Sequence, residues 1–124
     1  MADYLHFNSR DEFHRIDISK IVYFQSDGNY TDIVLANGAK VVFGISLTRL
    51  ETYLSESLKE KARCFIRVGK CFIINTDYML SINTIGQSLI LTDYSQACCR
   101  IPISKEALKK LKDIMVASVL KSNK

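Results

Sequence analysis

The sequence lacks any apolar run long enough to cross a membrane. A spanning helix needs about 18 or more consecutive apolar residues, and no stretch of the 124 residues approaches that length. The N-terminal segment, Met-Ala-Asp-Tyr-Leu-His, has neither the basic part nor the apolar part of a secretory signal. We therefore expect a cytoplasmic protein that has no membrane partner.

Patterns for metal binding and for disulfides are also missing. The chain has only two histidines and four cysteines, and no two cysteines form a Cys-x-x-Cys pair. The vicinal pair Cys98-Cys99 has poor geometry for a disulfide, and the spacing of zinc ligands is absent. We expect no metal site and interpret the cysteines as reduced core thiols, since free cysteine is often buried.

The sequence fingerprints of common enzymes are absent as well. The chain contains no nucleophile elbow, no Walker loop and no dinucleotide fingerprint. His14, which we expect at the surface, has no nearby nucleophile to activate. We therefore expect no catalytic activity and no cofactor.

Two common modes of nucleic-acid binding are not supported either. A helix-turn-helix cannot be drawn, because the middle of the chain is rich in strand-forming residues. A cluster of exposed aromatic side chains for stacking single-stranded bases is not evident. A DNA-binding protein with this sequence would have to use loops on a β scaffold.

What is present is the composition of one globular domain. Hydrophobic residues make up 48% of the chain and charged residues 24%, both near the averages for globular proteins. A chain of 124 residues is long enough for one domain and too short for two ordinary ones. We predict a single domain over residues 1–124.

The net charge of +4 is unevenly distributed. Residues 1–58 carry five Lys/Arg and eight Asp/Glu, a net of −3, whereas residues 59–124 carry twelve and five, a net of +7. Such a basic half is what a surface for a polyanion would need. Alternatively, the lysines near the C-terminus only solvate a helix and complement its dipole.

Short alternating or β-branched segments predict five strands in the first part of the chain. They cover residues 4–8, 12–17, 18–24, 30–35 and 40–45. Phe13 and Ile16 are expected to face inward in the second strand. Asp27-Gly28-Asn29 predicts a turn, and Asn37-Gly38 predicts a two-residue type I′ hairpin turn.

The pattern then changes to that of a helix. Ser46 is a good N-cap, and Thr48 with Glu51 could form a capping box. Leucines spaced for one helical face follow it, which predicts a short amphipathic helix. A second helix is predicted at the C-terminus, capped by Ser104 and carrying its own apolar stripe.

The region from Arg63 to Asn75 holds two short apolar runs on either side of a basic corner. Gly69 permits a tight turn between them, and Arg63, Arg67 and Lys70 place cations on or beside it. Further strands are predicted over residues 79–85, 88–92 and 97–103. The corner is either an ordinary hairpin with solvated charges or a rigid mount that presents charge to an anionic partner.

Three motifs in this sequence resemble the LytTR family of bacterial DNA-binding domains. The central one is Phe65-x-Arg67-Val68-x-Lys70-x-Phe72-Ile73-Ile74-Asn75. The others are Ile21-Val22-Tyr23-Phe24-Gln25-Ser26-Asp27-Gly28-Asn29-Tyr30-Thr31 and Ser46-Leu47-Thr48-Arg49-Leu50-Glu51-x-x-Leu54. Together with Ile101-Pro102-Ile103-Ser104-Lys105 they cover about residues 17 to 112, in the order that the family has them.

The resemblance implies a fold and a function. The fold is mostly β, with about ten short antiparallel strands in small packed sheets, one internal helix and one C-terminal helix. The function is sequence-specific binding of double-stranded promoter DNA as the output domain of a bacterial transcriptional regulator of the response-regulator type. Loops of the β scaffold would enter successive major grooves, and a homodimer would bind repeated half-sites.

The resemblance also implies which residues meet the DNA. They come from three loops and are Ser26, Asn29, Tyr30, Arg67, Gly69, Lys70, Ser104 and Lys105. Lys70 and Lys105 are expected at guanine O6/N7 or phosphate, and Asn29 and Tyr30 at bases or backbone. Arg67 either contacts phosphate or ties loops together.

Some alternatives stay open at this point. The family often has His-Arg-Ser where this chain has Gly69-Lys70-Cys71, so the recognised base sequence does not carry over. The chain is either an excised output domain, working with a receiver domain or a partner kinase pathway, or a stand-alone regulator. The competing function is a β-rich protein-interaction module whose basic charge is incidental.

Overall fold

The computed structural model describes residues 3–95 and 98–122, which form ten strands and two helices. The strands are β1 (Tyr4–Asn8), β2 (Phe13–Asp17), β3 (Ile21–Asp27), β4 (Tyr30–Leu35), β5 (Lys40–Phe43), β6 (Phe65–Val68), β7 (Phe72–Asn75), β8 (Met79–Asn83), β9 (Ser88–Thr92) and β10 (Cys98–Pro102). The helices are α1 (Leu47–Leu58) and α2 (Lys105–Ser122). The predicted mostly β fold with an internal and a C-terminal helix is confirmed.

The strands form three antiparallel sheets. The central sheet has the order β5-β4-β3-β7-β6, and β1-β2 and β10-β9-β8 form two smaller sheets. In the central sheet, the pairing of β3 with β7 joins two hairpins that lie far apart in the sequence. This sheet therefore combines two of the three segments that carry the family motifs.

The central sheet is covered on both faces. One core packs β3, β4 and β7 against α1 and the β1–β2 hairpin, through Phe24, Ile33, Ile73, Leu47, Leu50, Leu54, Leu5, Phe7 and Ile16. The other packs the opposite face against the β8–β10 sheet and α2, through Val22, Val68, Ile74, Leu89, Leu91, Ile101, Leu108 and Leu111. The neighbours Ile73 and Ile74 belong to different cores because successive strand residues point to opposite faces.

Three short 3₁₀ segments connect the strands. Ile18–Lys20 is one of them, although it was expected to be strand, and the Asp17 carboxylate caps it by accepting from the Ser19 amide at 2.9 Å. A second, Thr76–Tyr78, follows β7.

Two strands end earlier than predicted. β5 ends at Phe43 and β8 at Asn83, whereas the predicted strands covered residues 40–45 and 79–85. Ala97, the predicted start of the last strand, lies outside the described residues.

The expected inward position of Phe13 is wrong. β2 pairs with β1 so that Phe13 lies opposite Asn8 at the strand end, and its side chain is 61% exposed. Alternation then places Ile16 in the core, as expected, and turns His14 to the inner side. His14 is half-buried with its ring edge-on to Phe43, so its predicted surface position is also wrong.

The turn after β4 is not of type I′. That turn requires a positive φ at both central residues, but only Gly38 has one, at +87°. The loop spans four residues, 36–39, and is closed by the Leu35 amide donating to the Ala39 carbonyl at 2.9 Å. The Asn37 side chain accepts from the Ala39 amide at 2.9 Å, so it stabilises the loop without a strained backbone.

One buried side chain ties the end of β7 to the start of β3. Asn75 is 2% exposed, its Nδ2 donates to the Ile21 carbonyl at 2.8 Å, and its Oδ1 accepts from the Asp77 amide at 3.0 Å. We predict that Asn75→Ala lowers the free energy of unfolding by about 1–3 kcal/mol, because it leaves buried backbone groups without partners. Urea unfolding measures this, with Asn8→Ala at an exposed strand end as the control. Equal stability of the two variants would contradict the assignment.

Candidate nucleic-acid interface

Two of the three predicted loops lie side by side at one end of the central sheet. Gln25 pairs with Phe72 in the β3–β7 ladder, and one residue further along the Ser26 amide donates to the Cys71 carbonyl at 2.8 Å. From that hydrogen bond the chain runs forward into the β3–β4 turn and backward into the β6–β7 turn. The antiparallel pairing therefore places both turns at the same end of the sheet.

Glycine makes both turns tight. Gly28 has a φ of +64° and Gly69 one of +67°, in the left-handed region that side chains with a Cβ rarely adopt. The adjacent Asn29 and Lys70 are exposed. The backbone at each turn is thus set by a glycine, and a polar side chain next to it is presented to solvent.

The third loop adjoins the second. A Cβ built on Gly69 would lie 3.7 Å from the Cβ of Ala107 in the first turn of α2. A cleft of about 580 Å³ separates the β6–β7 turn from the start of α2, and Lys70, Ser104 and Lys110 line it. We call this end of the molecule, formed by residues 26–30, 69–70 and 104–105, the loop end.

The predicted contact residues differ in how free their side chains are. Asn29, Lys70 and Lys105 are exposed, and Tyr30 is 55% exposed. The Tyr30 ring lies beside Gly44, where a built Cβ would be 3.6 Å from the ring carbon Cε1. The absence of a side chain at Gly44 leaves room for this ring.

Two predicted residues have structural hydrogen bonds. Ser26 is half-buried, and its amide belongs to the ladder with Cys71. Ser104 accepts from the Ala107 amide at 3.3 Å through its Oγ, which confirms the predicted cap of α2. Both residues therefore help to place the loops, whether or not they also meet a ligand.

Arg67 is half-buried and is held by three hydrogen bonds. Its Nη1 donates to Thr48 Oγ1 at 3.0 Å and to Glu51 Oε1 at 3.3 Å, and its Nη2 donates to the Lys70 carbonyl at 2.9 Å. The predicted capping box of Thr48 and Glu51 is thus replaced by contacts to Arg67. The N-cap itself is Ser46, which accepts from the Arg49 amide at 3.2 Å as expected.

One basic residue beside the loop end was not among the predicted contact residues. Lys110 lines the same cleft as Lys70, together with the acidic Glu106. Leu108 and Leu111 are buried, and this fixes which side of α2 faces the sheets. The spacing of those two leucines was the signal that could have placed Lys110 beside the cleft.

Other kinds of site have little support in the part of the chain that is described. Within residues 3–95 and 98–122, no group of three or more His, Cys, Asp or Glu side chains is arranged to hold a metal ion. Among those residues, no helix combines the length and the apolar character that a membrane crossing requires.

Comparison with known proteins identifies the family. The family model of the LytTr DNA-binding domain matches residues 11–116, a stretch that contains all three loops of the loop end. The chain therefore belongs to the LytTr family of DNA-binding domains, and the resemblance seen in the sequence motifs is confirmed.

A solved structure shows the same fold. The LytTr DNA-binding domain of a Bacillus cereus protein described as a methyl-accepting/DNA response regulator superposes with a TM-score of 0.65. The likeness covers 90% of this chain and 95% of that one, at 18% sequence identity. At that identity the likeness establishes the fold alone.

Two curated relatives come from Paraburkholderia xenovorans (strain LB400). They are the heme-containing CO-sensing transcriptional regulators RcoM 2 and RcoM 1, which are 29% and 28% identical to this chain over 102 residues. The match covers 81% of this chain but only 35% of each relative. The sensing described by their names belongs to those whole proteins.

The cysteines are less buried than expected. Cys71, at the loop end, and Cys98 are exposed, while Cys64 and Cys99 are half-buried. The interpretation of all four as core thiols is therefore wrong.

We predict that iodoacetamide modifies Cys71 and Cys98 before Cys64. Burial raises the pKa of the Cys64 thiol to about 11, so at pH 8 little of it is the reactive thiolate, and we expect alkylation about tenfold or more slower. Its rate should keep rising with pH until the pH reaches that pKa. Mass spectrometry of peptides after timed alkylation measures the order. Modification of Cys64 as fast as Cys71 would contradict the described burial.

Proposed function

We propose that this chain is the output domain of a bacterial transcriptional regulator and binds double-stranded promoter DNA sequence-specifically through the loop end. The observation that carries the proposal is the arrangement of three polar loops at one end of a packed scaffold, in a chain of a DNA-binding family. The loops enter successive major grooves, where base edges can be distinguished. Residues 1–124 act as one cytoplasmic DNA-binding unit without catalytic activity.

Each exposed side chain of the loop end suits a particular contact. Lys70 and Lys105 donate to guanine O6/N7 or to phosphate oxygens. Asn29 can both donate and accept at a base edge, and Tyr30 offers a hydroxyl or a ring. Lys110 adds a cation in the same cleft as Lys70, which suits a phosphate of the flanking backbone.

The regulator acts as a homodimer on repeated half-sites and takes its signal from another domain. In our proposal that domain is a receiver in a two-component pathway. The heme-containing CO-sensing relatives favour a second arrangement, in which a sensor of a different kind controls the same output domain. The match covers only 35% of each of those relatives.

A second function is a protein-interaction module. The observation that favours it is an apolar groove between β8 and α2, with Leu80, Val116 and Val119 between 46% and 53% exposed. A gel shift with mixed genomic duplex separates the two functions. Partner binding without a DNA shift would favour the module.

We predict that Lys70→Ala and Lys105→Ala each weaken binding to the cognate duplex by about 1–3 kcal/mol, if these residues read bases. The cognate duplex is first obtained by selecting bound sequences from a random pool, in which the proposal expects one motif to be enriched. The control is Lys20→Ala, since Lys20 is exposed and precedes β3 at the opposite end of the sheet. Unchanged affinity in both variants, or enrichment of no motif, would remove the assignment.

We also predict that the observed association constant falls steeply with salt. Each phosphate contact releases counterions and contributes about 0.9 to the slope of log K against log salt concentration. A loop-end lysine that contacts phosphate should lower this slope by about 1 when changed to alanine, whereas one that reads a base should relax sequence preference. Fluorescence anisotropy at several salt concentrations measures the slope. A flat salt dependence would contradict binding through the basic loop end.

A further inference from the structure

We propose that Arg67 is a positioning residue for DNA binding. It fixes the β6–β7 turn to α1, so that Lys70 is held in place at the loop end, and it acts through Lys70 without touching DNA. This inference rests on the proposed function of the loop end, and of the two roles that the sequence left open for Arg67, phosphate contact and tying loops together, it assigns the second and adds its consequence for Lys70.

The direction of the Arg67 side chain supports this positioning role. Ile66 and Val68 pack into the core that contains α2, so alternation along β6 turns Arg67 to the other face of the sheet, toward α1. The side chain of Arg67 is only 25% exposed. Its guanidinium is turned toward Thr48 and Glu51 of α1, while the residue also lines the cleft at the loop end.

The hydrogen-bond partners of Arg67 also support a positioning role. Both terminal nitrogens of Arg67 are engaged, Nη1 with Thr48 and Glu51 of α1 and Nη2 with the carbonyl of Lys70. Thr48 and Glu51 lie within the first turns of α1, which is anchored in the core by Leu47 and Leu50. A planar guanidinium can bridge partners in fixed directions, which a lysine cannot do.

The hydrogen bond from Arg67 also orders the backbone of the β6–β7 turn. The Lys70 carbonyl is fixed by Arg67 at 2.9 Å, and the next carbonyl, of Cys71, is fixed by the Ser26 amide at 2.8 Å. Two successive peptide groups are thereby tied to two different elements. The side chain of Lys70 stays exposed, but its backbone is already ordered, and preorganisation of this kind lowers the cost of binding.

The effect of removing Glu51 on DNA affinity separates a positioning role of Arg67 from a direct contact with DNA, because the two roles predict different signs of that effect. Glu51 is an anion, so if it only contributed charge, its removal would strengthen binding to a polyanion or leave it unchanged. If Glu51 supports Arg67, its removal together with Thr48 weakens binding, although the protein becomes more positive. Glu56 lies on the same helix and is exposed, whereas the described hydrogen bonds of Arg67 go to Thr48, Glu51 and Lys70, so Glu56→Ala is the matched control.

The first measurement uses the free protein. The hydrogen-exchange rate of the Ser26 amide reports on its bond to Cys71, and we expect Arg67→Ala to raise it about fivefold to tenfold, because the turn loses one of its two attachments. Arg67→Lys, which keeps the charge but not the bridge, should raise it similarly. An unchanged rate in both variants would overturn the positioning role.

The second measurement is affinity for the selected duplex. We expect the Thr48→Val/Glu51→Ala variant and Arg67→Lys to bind about threefold to tenfold more weakly, as the loss of a positioning hydrogen bond would produce. In the Lys70→Ala background, Arg67→Ala should cause little further loss, because coupled residues are not additive. Glu56→Ala should not weaken binding.

Three affinity results for the variants would also count against the inference. Near-wild-type affinity of Arg67→Lys, or a full additional loss from Arg67→Ala in the Lys70→Ala background, would indicate direct contact and overturn it. Unchanged affinity of the Thr48→Val/Glu51→Ala variant would do the same. If wild-type protein bound no duplex at all, the proposed function and the DNA-binding part of this inference would both fail, while the Ser26 exchange rates would still report on the attachment itself.

Discussion

The antiparallel pairing of β3 with β7 is the constraint on which the rest of this structure depends. It joins two hairpins from different parts of the chain into one sheet. Because the pairing runs up to the bond between Ser26 and Cys71, the two turns meet at one end. A different register would move one turn along the sheet and separate it from the other, so the geometry of the loop end follows from the backbone ladder.

Burial on both faces keeps that ladder in place. Alternate residues of β3 and β7 enter two cores, one closed by α1 and one by α2 with the β8–β10 sheet. A slip by one residue would exchange the two sets of side chains, which is costly when both faces are packed. The same two helices also reach the loop end, α1 through the contacts of Thr48 with Arg67 and α2 through Ala107 beside Gly69. Packing and site geometry are therefore connected by the same elements.

Local signals in the sequence predicted most of the fold. The caps at Ser46 and Ser104, the turn at Gly69 and the leucine stripe of α1 each depend on residues a few positions apart, and each is confirmed. Features set by distant partners were missed or wrong. The phase of β2, which exposes Phe13, depends on its pairing with β1, and the turn at Asn37 depends on where β4 and β5 stop pairing.

The candidate site shows the same division. The three loops could be found from motifs, but their proximity follows from strand pairing and from the docking of α2. The partners of Arg67 in α1, Thr48 and Glu51, lie 19 and 16 residues away in the sequence, and no local pattern predicts such contacts. The DNA contacts of seven of the eight predicted residues stay predictions, and for the eighth, Arg67, we propose a positioning role in place of a contact.

We propose that one end of the central sheet, and no other surface, meets DNA. Backbone amide shifts in NMR spectra, recorded while a mixed-sequence duplex is added at low salt, test it directly. We expect the largest shifts to cluster in residues 26–30, 69–71 and 104–107, with little change in the loop of residues 36–39 at the far end. Shifts centred on that far loop, or on the groove between β8 and α2, would contradict it.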